Sequence, residues 1–235
     1  PVYIFGVFLN MTAAGEVFKV ITTFLGVILL VFGLTVVLLL VQYVVAGAIA
    51  GRNPFTALKT MLPAYATALG TSSSAATIPV TLRQTLLLGV RRPIASFVVP
   101  LCATIHLAGS TVKIVSFSIA VLFLSGQSID VPVFVGFIFM LGVTMVAAPG
   151  VPGGAIVAAS GLLSSMLGFT EPQVALMVAT YIAIDSFGTA TNVTGDAAIA
   201  MIVDKIAGDR LIEDSEDEGL ERRDDEEVAT GADAG

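Results

Sequence analysis

The sequence predicts an all-α membrane protein in which transmembrane helices are combined with two re-entrant helical hairpins of opposite orientation, an inverted repeat. Three observations predict it. The 235 residues are 56% hydrophobic and only 12% charged, with apolar runs longer than a soluble domain of this size requires. Two pairs of short apolar segments, interrupted by Gly, Pro or Ser, recur at matching positions of two halves. The basic residues fall on one side of a membrane only if both pairs turn back within it.

The elements follow in order. Residues 15–50 form a first helix, since the apolar run from Val20 to Ala50 exceeds the roughly 20 residues that cross a 30 Å hydrocarbon core. Residues 54–90 form the first hairpin, with Pro54 to Gly70 and Ala75 to Gly89 on either side of the tip TSSS. Residues 94–126 span again. Residues 131–169 form the second hairpin: Val131 to Ala148 and Ala155 to Phe169 are short, and the PGVPGG between them cannot continue a helix. Residues 172–206 form the last helix. Arg52, Lys59, Arg83, Arg91, Arg92, Lys205 and Arg210 mark the cytoplasmic ends, and a full crossing by either hairpin would put one basic cluster outside.

The net charge of −7 is unevenly spread, because residues 207–235 carry 12 acidic residues against three Arg. Like-charge blocks with few large apolar residues do not bury enough surface to fold, so 207–235 reads as a disordered acidic tail on the cytoplasmic side. The single cysteine, Cys102, lies in an apolar run and reads as a small buried hydrophobe, with no disulfide or cysteine metal site in the chain. The chain begins PVYIF without Met and without a signal-peptide pattern. This is the expectation for the carboxy-terminal part of something longer.

Asp185, Thr189, Asn192 and Asp196 lie in the apolar run from about Ala175 to Ala207. Their spacing places them on one face of a helix. Ionisable residues inside a membrane are costly unless they face a cavity, an ion or a partner, so this stripe marks a functional site. At the first tip, Ser72, Ser73 and Ser74 add hydroxyls to the free N–H groups of half-helix ends, a donor set suited to a carboxylate. At the second, Val151, Pro152 and Gly153 with their neighbouring Gly and Pro residues allow a tight reversal and close backbone approach, as a gate over a site or a plain turn requires. Paired interrupted segments of this kind point to a transporter with a midplane site.

GTSSSAATIPVTLRQ (70–84), APGVPGGAI (148–156) and DSFGTATNVTGD (185–196) resemble the two hairpin tips and the last-helix motif of the dicarboxylate/amino acid:cation symporters, the glutamate-transporter homologues. The likeness covers nearly all of residues 1–206. It implies an elevator-type transport domain over 15–206 with two opposed hairpins and two broken helices, residues 1–14 being the end of a scaffold helix. A homotrimer built through further N-terminal scaffold helices is also implied. By that resemblance Asp185 holds the substrate's amino group, and Thr189 and Asn192 line the site. Asn192 and Asp196 contribute to sodium sites, sodium ions being the coupling ions and no other cofactor being needed. The expected setting is the plasma membrane, with the lipid bilayer and a small-molecule substrate as partners and no nucleic acid.

The departures from the family pattern are informative. Where the family carries an Asn-Met-Asp-Gly-Thr motif this chain reads HLAGS, so His106 and Ala108 replace the Asn and the Asp. His106 joins the candidate cation ligands, and coupling to fewer sodium ions or to protons becomes an alternative. Lys113 lies seven residues on, a charge near mid-membrane that either modulates the site or pairs with Asp185 or Asp196. Gly188 stands where acidic-amino-acid members have an arginine, and Ser72 where others keep one. Without the guanidinium fork a second carboxylate loses its bidentate partner, which favours a neutral or polar amino acid, with a dicarboxylate or acidic amino acid as the rival.

Enzyme classes do not fit. Asp185 and Asp196 are separated by roughly 16 Å of helical rise, too far to share a proton as an aspartyl protease dyad does. His106 is the only histidine and has no evident orienting acid for serine chemistry. An ion channel is the remaining rival, since re-entrant hairpins also build filters.

Overall fold

The computed structural model describes residues 17–207, together with Gly6 and Leu9. The scaffold-helix end expected at 1–14 and the acidic tail expected at 207–235 therefore lie outside the described residues, apart from Gly6, Leu9 and Ala207. All regular elements among the described residues are helices. In chain order they are α1 Val17–Ala50, α2 Pro54–Thr60, α3 Leu62–Thr71, α4 Ser74–Leu87, α5 Arg92–Ile105, α6 Ala108–Leu124, α7 Val131–Met145, α8 Gly154–Leu167, α9 Glu171–Ala183 and α10 Asp185–Ala207.

Local chemistry sets the breaks. Asn53 caps α2 by accepting from the N–H groups of Phe55 and Thr56, with Pro54 at the first helical position where its missing N–H costs nothing. The first hairpin turns at Ser72, which takes a left-handed conformation with φ 49°. Ser73 then restarts the chain as α4, its Oγ accepting from Ala76 N at 3.2 Å. Asp130 caps α7 through Val133 N, and Thr170 with Gln173 forms a capping box on α9.

Each hairpin returns to its own side. Arg52 Nη2 donates to Gly89 O at 2.9 Å, which ties the entrance of the first hairpin to its exit. The exit is also joined to the end of α10, where Asp204 Oδ1 accepts from Arg91 N at 3.0 Å. At the other end of the molecule, Gln173 Nε2 donates to Ser125 Oγ at 2.6 Å, and Asp130 and Gly168, the entrance and exit of the second hairpin, line one surface cavity with Leu122 of α6. The hairpins thus enter from opposite sides.

Their tips meet. Ser73 Oγ and Ala75 N both donate to Gly150 O, at 3.0 and 3.2 Å. A Cβ on Gly150 would fall 2.4 Å from Ala103 O, so glycine is required where the second tip passes the last turn of α5.

The apolar interior divides in two. One core gathers residues of α6, α7, α8 and α9 around Phe117, Phe137, Leu163 and Met177. The other gathers the end of α1, the first hairpin, α5 and α10 around Tyr43, Met61, Val98 and Met201. Each core is built on one hairpin. Helix α1 packs against α6 and α2 but leaves Leu25, Leu29, Leu30, Val37, Val41 and Val44 about half exposed, as a lipid-facing helix would.

Among the described residues, two helices can cross a membrane by length and composition, Leu25–Ala50 and the interrupted Arg92–Leu124, or three if the bent pair α9 and α10 forms one span. That bend differs from the single last helix read at 172–206. The chain turns by 63° between Ala183 and Asp185, and Ile184 leaves helical geometry at φ −124° and ψ 24°. No Pro or Gly marks the break, which is why periodicity passes over it. Its effect is to put Asp185 on the first turn of α10.

The close crossing of α6 and α10 gives a stability prediction. A Cβ on Gly109 would lie 2.7 Å from both Gly188 O and Thr191 Cβ, whereas Gly142 in α7 has no neighbour within 4 Å. Gly109→Ala is expected to cost about 1–3 kcal/mol through overpacking, seen as a lower melting temperature in detergent, while Gly142→Ala stays within about 0.5 kcal/mol of the parent.

Candidate functional site

Three helix starts converge on one cavity. Ser72 and Ser74 reach it from the start of α4, Leu107 and Ser110 from the start of α6, and Gly150, Val151 and Ala155 from the second tip and the start of α8. Helix α10 supplies Asp185, Thr189 and Asn192, and α9 supplies Tyr181. Each helix start carries a partial positive charge, and Ser72, Ser74, Ser110 and Thr189 add hydroxyls to the lining; several first-turn N–H groups are already bonded, Ala75 N to Gly150 O, Gly109 N to Asn192 Oδ1 and Gly153 N to Asp185 Oδ2. Asp185 is the only carboxylate among its described lining residues.

Asn192 welds the α6 start to α10. Its Oδ1 accepts from Gly109 N at 2.8 Å and lies 3.4 Å from Ser110 N, and its Nδ2 donates to Ser110 Oγ at 3.0 Å. An asparagine here satisfies two orphan N–H groups and an adjacent hydroxyl at once, the accounting that buried polar groups demand.

Asp185 is held from two sides. Lys113 Nζ lies 2.9 Å from Oδ1, and Gly153 N donates to Oδ2 at 2.8 Å. Lys113 is fully buried, also reaches Asp185 O at 3.3 Å, and rests 3.7 Å from the centroid of the Tyr181 ring. The carboxylate thereby joins α6 to the second hairpin tip, where Gly153 adopts φ 73°, a conformation glycine reaches without steric cost.

Asp196 is met by the histidine. His106 Nδ1 stands 2.8 Å from Asp196 Oδ1 and 3.2 Å from Asn192 O, and Nε2 stands 3.0 Å from Gln42 Nε2. Both ring nitrogens face protein partners. His106 stands in this structure as a partner of Asp196 and Gln42. No group of three or more His, Cys, Asp or Glu able to hold a metal occurs among the described residues.

Of the residues singled out in the sequence, Ser72, Ser74, Val151, Asp185, Thr189 and Asn192 line the cavity. Ser73 spends its hydroxyl on Gly150 O and Ala76 N instead. Pro152 is exposed, Gly153 contributes only its N–H, and Gly188 lies beneath the Lys113 chain, where a Cβ would come within 2.7 Å of Nζ. Asp196, about three turns beyond Asp185 on α10, and His106, at the break between α5 and α6, do not line the cavity. Ser110, Tyr181 and Gln42 were missed. Gln42 carried a signal, being a polar residue inside the apolar run of α1; Ser110 and Tyr181 gain their roles only from the α6 and α9 breaks.

A profile of the sodium:dicarboxylate symporter family matches residues 1–206. The chain is 34% identical to excitatory amino acid transporter 4 of Mus musculus over 161 residues, 66% of this chain and 28% of that protein. It is 32% identical to excitatory amino acid transporter 3 of Bos taurus over 201 residues, 83% of this chain and 37% of that protein. With excitatory amino acid transporter 5 of Homo sapiens the identity is 30% over 173 residues, 73% of this chain and 31% of that protein. The chain spans about a third of the length of these relatives. Two opposed hairpins meeting over a buried polar stripe, and a sequence match that runs through both of them, agree: the chain belongs to the sodium:dicarboxylate symporter family, a family of membrane transporters rather than enzymes.

Proposed function

We propose that the chain is the transport domain of a multi-pass, sodium-coupled symporter that carries a small carboxylate-bearing solute between the hairpin tips, where the cavity is closed to about 10 Å³ and must widen to admit it. The observation that carries this reading is the convergence of three helix starts on one cavity whose only described carboxylate is already paired. Helix starts bind anions through free N–H groups and the helix dipole. The second tip, fastened by the Gly153 N–H bond to Asp185 and by Gly150 O on the first tip, is the gate.

Gly188 in place of an arginine favoured a neutral amino acid, yet Lys113 lies directly over that glycine. A buried positive charge is thus retained, which supports an acidic solute, and the relatives are named for excitatory amino acids.

Sodium travels as co-substrate, with Asn192 and Asp196 as its candidate ligands on α10; a hard cation wants oxygen donors of this kind. A second reading, proton coupling, draws on the 2.8 Å contact of His106 with Asp196. Placement in the plasma membrane, a cytoplasmic carboxy-terminal side, an elevator movement of residues 15–206 and a homotrimer belong to the same proposal. The basic residues near both ends of the first hairpin and the exposed apolar face of α1 support it.

The test is uptake by the complete gene product in liposomes, with serine, aspartate and succinate offered under a sodium and then a proton gradient. Saturable sodium-driven uptake is expected, and conductance without substrate would mean a channel. Asp185→Asn removes the bond to the gate and is expected to cut uptake by about tenfold or more, the loss of a charge-assisted hydrogen bond. Asp196→Asn is expected to raise the sodium concentration for half-maximal uptake by about tenfold, and unchanged sodium dependence would remove Asp196 from the coupling site.

A further inference from the structure

Resting on the transport reading above, we propose that Lys113 is a specificity-determining residue: a built-in ammonium that occupies Asp185, so that the site selects small carboxylates lacking an amino group.

An amino acid zwitterion needs two receptors, a donor set for its carboxylate and an acid for its ammonium. For the first the cavity offers the hydroxyls of Ser72, Ser74, Ser110 and Thr189 and the dipoles of the starts of α4, α6 and α8. Of the second it has one described candidate, Asp185, and both of its oxygens are engaged, Oδ1 by Lys113 Nζ at 2.9 Å and Oδ2 by Gly153 N at 2.8 Å. A substrate ammonium entering there would have to displace a protein ammonium that is fully buried. Lys113 would then be left as an unpaired charge, the costly half of a broken buried pair.

The arrangement is built for the lysine. Its chain crosses α10 at Gly188, where a Cβ would lie 2.3 Å from Cε and 2.7 Å from Nζ, so that any larger residue would push the ammonium end from its present place. Tyr181 receives the ammonium on its ring face at 3.7 Å, an attraction that strengthens when water is excluded. With Asp185 neutralised from within, the three helix starts face an anion without an opposing charge. A solute with two carboxylates and no amine uses that field fully, whereas a zwitterion brings a positive charge that finds no free acid.

Succinate and aspartate differ by one amino group and separate the two cases. In liposomes containing the complete gene product, succinate is expected to be taken up with a KM about tenfold lower than aspartate, and to raise the melting temperature in detergent where aspartate does not. Lys113→Met frees Asp185 and is expected to move the aspartate-to-succinate ratio of kcat/KM at least about tenfold toward aspartate. A purely structural lysine would lower both alike. Gly188→Ala, which closes the path of the lysine chain, is expected to move the ratio in the same direction. Tighter binding of aspartate than succinate by the parent protein overturns the inference even if no variant folds, and so does a parallel loss of both substrates in the variants. Absence of uptake and of thermal stabilisation with every carboxylate overturns the transport reading, and the inference with it.

Discussion

Two of the three buried carboxylates on α10, Asp185 and Asp196, are the constraint around which the molecule is arranged. Asp185 and Asp196 are 5% and 1% exposed, in a chain whose surroundings are largely hydrocarbon, where an uncompensated charge is prohibitive. Each is met by a cationic or ionisable side chain from the same interrupted span: Lys113 from α6 and His106 from the break before it. The pairing explains why α5 and α6 must pass so close to α10, and why the crossing is lined with Gly109, Gly188 and Gly195, at each of which a Cβ would collide with the opposing element. Small residues at membrane helix crossings let backbones approach; here the approach also brings the ions together.

The helix breaks follow from the same need. Non-helical backbone inside a membrane is tolerated only where it is buried in protein or lines a cavity. The chain departs from helix at Ser72 and Ser73, at His106 and Leu107, between Met145 and Gly154, and at Ile184, and in each place the freed groups find partners. Ser73 Oγ and Ala75 N go to Gly150 O, Gly109 N to Asn192, and Gly153 N to Asp185. These bonds join both hairpin tips to the wall of a single cavity, since Gly150 and Asp185 both line it.

Much of the architecture was legible in the residues. Run lengths separated spanning helices from hairpin limbs, because 20 residues cross a membrane and 15 do not. Ser and Gly/Pro tips marked the reversals, because they lower the cost of leaving a helix. The basic residues anticipated that the first hairpin closes on its own side, as the Arg52 to Gly89 bond does. The polar stripe 185–196 marked residues that the fold buries and pairs, since buried polarity in an apolar run is expensive. The resemblance implied a second broken helix, but no Pro or Gly placed the bend at Ile184; before it α9 packs on α6 and α8.

By itself, then, the sequence determined the all-helical membrane class, the two hairpins and the identity of the polar residues, because length, periodicity and turn chemistry act locally along the chain. Only the tertiary structure decided which charges meet. Lys113 was left between Asp185 and Asp196 by its spacing, and it reaches Asp185 across a glycine 75 residues away in sequence. His106, placed among the cation ligands by its position in a motif, is committed to Asp196 and Gln42. Such pairings depend on where two helices cross and on the absence of a single Cβ at the crossing, quantities that packing sets and that no local pattern encodes.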